Sequence, residues 1–186
     1  MENKLMNDNP YSVGEQLTFD STNLQGPEFE GAVRGMQIVA AALMMSVLCF
    51  LGVVLVTTQG KIGGIQNARF MTKMAAGFAA LMIVNHIVIP RMVTKRHLAA
   101  ESDAGLLDLS DKEKTNKLIR IYRSQLIVGL ALLEGAAFFN LIGMLLDKSV
   151  VSPGVVALLM GLMLVKFPTR DKVSFWVQDK LRELQM

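Results

Sequence analysis

The chain has 186 residues, 52% of them hydrophobic, a mean hydropathy of +0.39 and a net charge of +3. Apolar residues gathered into blocks on that scale exclude an ordinary water-soluble domain, and the length leaves no room for a second globular unit beside a membrane domain. A single cysteine, Cys49, excludes an internal disulfide, and two histidines, His86 and His97, form no ligand cluster, so neither a structural metal nor a cofactor is expected.

Residues 1–34 read as a polar N-terminal tail carrying Glu2, Asp8, Glu15, Asp20, Glu28 and Glu30, with Pro10, Gly14, Gly26 and Pro27 breaking any helix. The segment from Pro27 to Glu30 can open a helical lead-in. The tail lacks the basic start and short apolar core of a signal peptide, so the first span is expected to serve as its own insertion signal. Span 1 covers about 36–57 without a charge and ends at Gln59-Gly60-Lys61. Span 2 covers about 74–90, from Lys73 to the helix-breaking Pro90 before Arg91, at the short end for a crossing. A basic loop follows, 91–123. Inside it Ser110-Asp-Lys-Glu113 has the form of a capping box, which predicts a helix from Asp111 through Leu146. Such a helix is roughly 50 Å long and projects beyond the bilayer.

Span 3 is about 126–146. Span 4 covers about 150–168, with Ser152 and Pro153 as its cap and first helical residue. In the tail, 169–186, Val173, Trp176, Val177, Leu181 and Leu184 fall at helical spacing, with Lys172, Lys180 and Arg182 elsewhere on the wheel. That pattern predicts an amphipathic helix, lying at the membrane interface or packed on the central loop. The expected fold is therefore all-α: a polytopic membrane domain, 35–168, of four transmembrane helices, plus a C-terminal amphipathic helix.

Fifteen of the 19 lysines and arginines fall on the two tails, the 91–123 loop and Lys166 at the end of span 4; Lys61, Arg69, Lys73 and Lys148 fall on the other side. The imbalance predicts an integral protein of the plasma membrane, or a bacterial inner membrane, with both termini and the central loop cytoplasmic. The basic loop and tail can attract anionic lipid, at about 1 kcal/mol per well-placed charge. Nothing in the pattern points to nucleic acid. A doubled hairpin is one reading of the chain. Gln37 and Gln125 open similar runs, and aligning them sets Ser46 against Glu134 and Phe50 against Phe138; the spans that follow both run through an Ala-Leu-Met segment to a proline, Pro90 or Pro168.

Glu134 is the only acidic residue inside a long apolar stretch. A carboxylate at that depth is costly, so it is paired, protonated or functional. It lies roughly 12 Å from the cytoplasmic end of span 3. His86 and Asn85, near the cytoplasmic end of span 2, fall at similar depth in an antiparallel neighbour and are the expected hydrogen-bond partners, with Ser46 a further polar candidate. Asn140, about 120° around the wheel from Glu134, is expected to bond across another interface. Ala131 and Gly135 form a small-xxx-small pair, and Gly77 sits in an Ala/Gly cluster of span 2, so these positions predict close helix packing within the chain or between copies. Lys166 is expected to snorkel to headgroups.

The run Ala131-Leu-Leu-Glu134-Gly-Ala-Ala-Phe-Phe-Asn-Leu-Ile142 resembles the carboxylate helix of the rotary ATP synthase c-subunit, the proteolipid. The resemblance implies that Glu134 binds a proton or sodium ion, and that its helix leaves a cytoplasmic polar loop, as span 3 does. Asn140 stands where that family carries glycine, and the central loop is far longer than the family's. Two functions follow as expectations. One is a non-enzymatic membrane protein, homo-oligomeric or bound to a membrane complex, with Glu134 as a buried clamp. The other is an ion-translocating subunit with Glu134 as carrier. An enzyme is not expected, because no nucleophile motif, phosphate loop or histidine cluster is present.

Overall fold

A computed structural model of the chain describes residues 26–65, 69–103 and 110–185. Most of the expected N-terminal tail, 1–25, lies outside the described residues. Five α-helices follow one another: α1 Pro27–Thr57, α2 Phe70–Asp103, α3 Asp111–Asp147, α4 Val151–Val165 and α5 Arg170–Gln185. Among the described residues the only extended pairing is an isolated bridge between Gly63 and Ser149.

Local chemistry sets most helix ends. Pro27 occupies the first turn of α1, where its missing N–H costs nothing, and Glu28 and Glu30 face the positive end of the helix dipole. Gln59 and Gly60 take positive φ and stop the helix. The capping box at the head of α3 forms as the sequence predicts: Ser110 Oγ accepts from the Glu113 backbone N–H, and Glu113 accepts from the Ser110 N–H at 3.1 Å. Two boundaries differ from expectation. α2 runs through Pro90 to Asp103, turning much of the expected 91–123 loop into helix. One proline removes one backbone hydrogen bond, and a long helix survives that loss. At α4, Ser152 is buried inside the helix rather than capping it; Ser149 Oγ instead accepts from the Val151 N–H at 3.3 Å.

α3 is the hub of the fold. It packs on α2, α4, α1 and α5, whereas α1 and α2 barely touch. The partners take separate sides of the α3 wheel. Gly129, Ala136 and Asn140 turn to α2; Glu134 and Phe138 meet α1 about 140–180° away. Buried Leu133, Ala137 and Met144 fall between those two sides, and with Leu159 and Met163 of α4 they belong to the main core. The remaining side, Val128, Ala131, Gly135 and Ile142, is left uncovered. α1 runs parallel to α3, and α2 antiparallel.

A second core lies at the basic end of the bundle. Phe29, Val33 and Met36 of α1, Leu118 and Ile119 of α3, and Val173, Val177 and Leu181 of α5 are all buried together. Leu118 and Ile119 fall within the expected 91–123 loop, so of the two placements expected for the tail helix, packing on that segment is present. α5 spends its apolar face on protein, because α1 and α3 both project past the apolar spans and offer it a groove.

At the opposite end, the α1–α2 and α3–α4 connections are clipped by backbone: Gly63 N–H donates to Lys148 O at 2.6 Å and Val150 N–H to Gly63 O at 3.2 Å. Among the described residues three helices are long and apolar enough to cross a membrane: Pro27–Thr57, Phe70–Ile89 and Lys112–Asp147. The 15 residues of α4 fall short alone, and α4 with α5, bent by 65°, makes a fourth if the pair is one span. Large apolar side chains around the outside, among them Ile38, Met45, Leu81, Val84 and Leu158, are exposed.

Candidate functional site

Glu134 sits deep in the apolar part of α3, half-buried, and its partner is on α1. Ser46 Oγ contacts Glu134 Oε1 directly and lies 2.7 Å from the Leu43 carbonyl oxygen one turn back on its own helix. One turn further on, Phe50 and Phe138 stack edge to face with centroids 5.3 Å apart. These are the two residue pairs that the internal alignment sets side by side. Equivalent positions meet because α1 and α3 run parallel in register. The hairpin equivalence does not extend to the packing, since α2 lies along α3 while α1 makes little contact with α4.

A serine hydroxyl has one proton to give and two lone pairs to offer. The Leu43 carbonyl can only accept. When Ser46 donates to it, the oxygen of Glu134 that touches Ser46 must supply its own proton, which a carboxylic acid does and a carboxylate does not. When Ser46 donates to Glu134 instead, the hydroxyl and the carbonyl face each other at 2.7 Å without a proton between them.

The expected partners of Glu134 lie elsewhere. His86 is buried and its Nδ1 is 2.9 Å from the Gly129 carbonyl, on the α2 side of α3. The five residues between Gly129 and Glu134 turn the helix by roughly 140°, so equal depth does not bring the two groups together. Asn85 is half-buried and does not bond Glu134. Asn140 behaves as expected of a second interface: fully buried, its Nδ2 donates to Ala75 O at 3.0 Å and to Ala136 O at 2.9 Å.

The small residues singled out in the sequence are not packed within the chain. Ala131, Gly135 and Gly77 are exposed, and a Cβ on either glycine meets nothing within 4 Å. The close approach of helices occurs at Gly143, where a Cβ would lie 3.4 Å from Ala75 Cβ and 3.7 Å from Ser152 Oγ. Sequence reasoning also missed Asp147. Its carboxylate at the end of α3 accepts from Thr72 N–H at 2.8 Å and Thr72 Oγ1 at 2.9 Å, capping the head of α2. No local signal links residues 75 positions apart. Gln37, singled out only as the opening of a repeat, donates through Nε2 to Pro168 O at 3.0 Å and ties α1 to the α4–α5 turn.

No group of three or more His, Cys, Asp or Glu residues suited to a metal ion occurs among the described residues. Comparison of the chain with known protein families, curated proteins and solved structures returned no match.

Proposed function

We propose that this chain is a non-enzymatic integral membrane protein in which Glu134 works as a neutral polar clamp between α1 and α3. Residues 150–168, α4 with the turn that follows it, supply a fourth crossing, and the basic end, with both termini, faces the cytoplasm. The exposed apolar belt and the charge imbalance between the two ends support that placement.

The observation that carries the clamp reading is the Ser46 hydroxyl caught between the Leu43 carbonyl and Glu134. Both contacts are satisfied at once by a protonated Glu134. A neutral acid bonded to serine holds two helices in register without a charge in the bilayer.

The second reading is a proteolipid-like subunit that carries a proton or sodium ion on Glu134. One observation favours it: Ala131 and Gly135, which flank the carboxyl, lie on the uncovered side of α3, where a helix of another copy or of a membrane partner can come close. The same face supports assembly into an oligomer or complex under either reading.

Infrared spectra of the wild type and Glu134→Gln in liposomes, with proton and sodium flux measured on the same samples, test the two. The clamp predicts a protonated-acid carbonyl band at neutral pH that Glu134→Gln removes, and no flux in either protein. Flux in the wild type that the substitution abolishes overturns it in favour of the carrier.

A further inference from the structure

A cleft of about 380 Å³ opens between α2, α3 and α4 at the basic end of the apolar region. Its walls are mostly apolar, including Ile83, Ile87, Leu126 and Leu162, and its polar groups are His86, Tyr122, Gln125 and Lys166. His86 is only 8% exposed. Its Nδ1 is held by the Gly129 carbonyl, and since a carbonyl only accepts, that nitrogen carries the proton. Nε2 is buried without a partner in the protein. It is the ring nitrogen left for a ligand, and the bond to Gly129 fixes where it points. Lys166, exposed just after the last turn of α4, places an ammonium at the rim of the same cleft.

A fixed imidazole edge and a cation at the mouth, above walls of branched aliphatic side chains, define an amphiphile with an anionic head and a hydrocarbon tail. Depth selects among such molecules. The polar groups sit where the apolar stretch of α2 ends and the basic segments begin, which is the headgroup level of a bilayer leaflet. We infer that this cleft binds one anionic phospholipid whose headgroup carries a hydroxyl, its phosphate held by Lys166, its hydroxyl donating to the unprotonated His86 Nε2, and one acyl chain lying along Ile83, Ile87 and Leu162. The inference rests on the membrane reading and is independent of the role of Glu134.

The test uses the full chain in an uncharged maltoside detergent, titrated with phosphatidylglycerol, phosphatidylcholine or inorganic phosphate. Thermal unfolding and native mass spectrometry are the readouts. His86→Asn keeps a donor for the Gly129 carbonyl and removes the Nε2 edge; Lys166→Gln changes an exposed side chain. Arg120→Gln and Arg123→Gln, on another side of α3, control for general basicity. The expected result is one retained phosphatidylglycerol per chain that raises the unfolding temperature, with phosphatidylcholine and phosphate inactive. His86→Asn and Lys166→Gln should each weaken retention by about fivefold or more, and the arginine variants should leave it unchanged. Equal retention of both lipids, or arginine variants as damaging as Lys166→Gln, overturns the site in favour of a generic lipid shell. Stabilisation by inorganic phosphate alone overturns the lipid. A chain that stays monodisperse without detergent would fail the membrane reading itself, a result separable from any of these.

Discussion

The two flanks of α3 are built from the same parts in different ways. Toward α1, besides the exposed Lys112–Glu28 pair at the helix starts, there is one polar contact, Ser46 with Glu134, and one aromatic pair, Phe50 with Phe138. Toward α2, besides the Thr72–Asp147 cap at the helix ends, there are two polar contacts, Asn140 with Ala75 O and His86 with Gly129 O, and again one aromatic pair, Phe78 with Phe139. On the α1 flank side chain meets side chain, so both identities matter. On the α2 flank, short of the Thr72–Asp147 cap at the helix ends, side chains address backbone carbonyls, which any residue supplies. The first arrangement specifies a partner; the second specifies only a distance and a register.

Exchanging acid and amide should separate the flanks most sharply. Asn140→Asp sets an acceptor-only group against two carbonyls in a fully buried position and should cost about 3 kcal/mol, read as a large drop in unfolding temperature in detergent. Glu134→Gln, the reverse exchange, keeps a donor for Ser46 and should change the same measurement little. Next in size is Gly143→Leu, which drives side-chain atoms against Ala75 and should cost about 2 kcal/mol, whereas Gly135→Leu on the uncovered side should leave the monomer's stability nearly unchanged. Loss of oligomer mass in Gly135→Leu alone would mark that side as an interface.

A double-mutant cycle on Ser46→Ala and Glu134→Ala should return a coupling of about 0.6–1.7 kcal/mol. Substituting Ala75 by Ser should show no coupling to Asn140, since only the carbonyl is used. A cycle that couples Ala75 to Asn140 as strongly as Ser46 to Glu134 would erase the distinction. The smallest effect belongs to the solvent-exposed pair Lys112–Glu28, 3.1 Å apart; Lys112→Ala should cost under about 0.5 kcal/mol and less at high salt.

The sequence reveals some of this directly. Ser110 and Glu113 declare the start of α3 because a capping box is local, and long apolar runs declare α1 and α3 because an uninterrupted apolar stretch of that length reads as a helix. Pro90 misleads, since a local rule about one lost hydrogen bond is overridden by a long helix packed along α3. Pairing sequential antiparallel spans sets Glu134 beside α2, whereas its partner, Ser46, is on α1. Depth alone matched His86 and Glu134, but angle around the helix decides contact, and angle favours α1. The internal alignment already held the answer, because it paired Ser46 with Glu134 and Phe50 with Phe138. The apolar periodicity of α5 is legible and the sequence offers the 91–123 segment as one of two places for it, but the share taken by α1 is not legible, since a stripe that fits lipid also fits the projecting ends of α1 and α3. Asp147 and Thr72 could not be paired from sequence at all.

The backbone clip between Gly63, Lys148 and Val150 has a mechanical consequence when set beside the second core. α1 is a beam held at both ends. One end is wedged by Phe29, Val33 and Met36 among α3 and α5; just past the other, the loop that leaves α1 is hooked to the loop that leaves α3. A beam fixed in this way answers a loosened midpoint by bowing outward, not by swinging free. If the rung at Glu134 opens, the gap it makes is therefore narrow, closed above and below, and recovers its shape when the rung reforms.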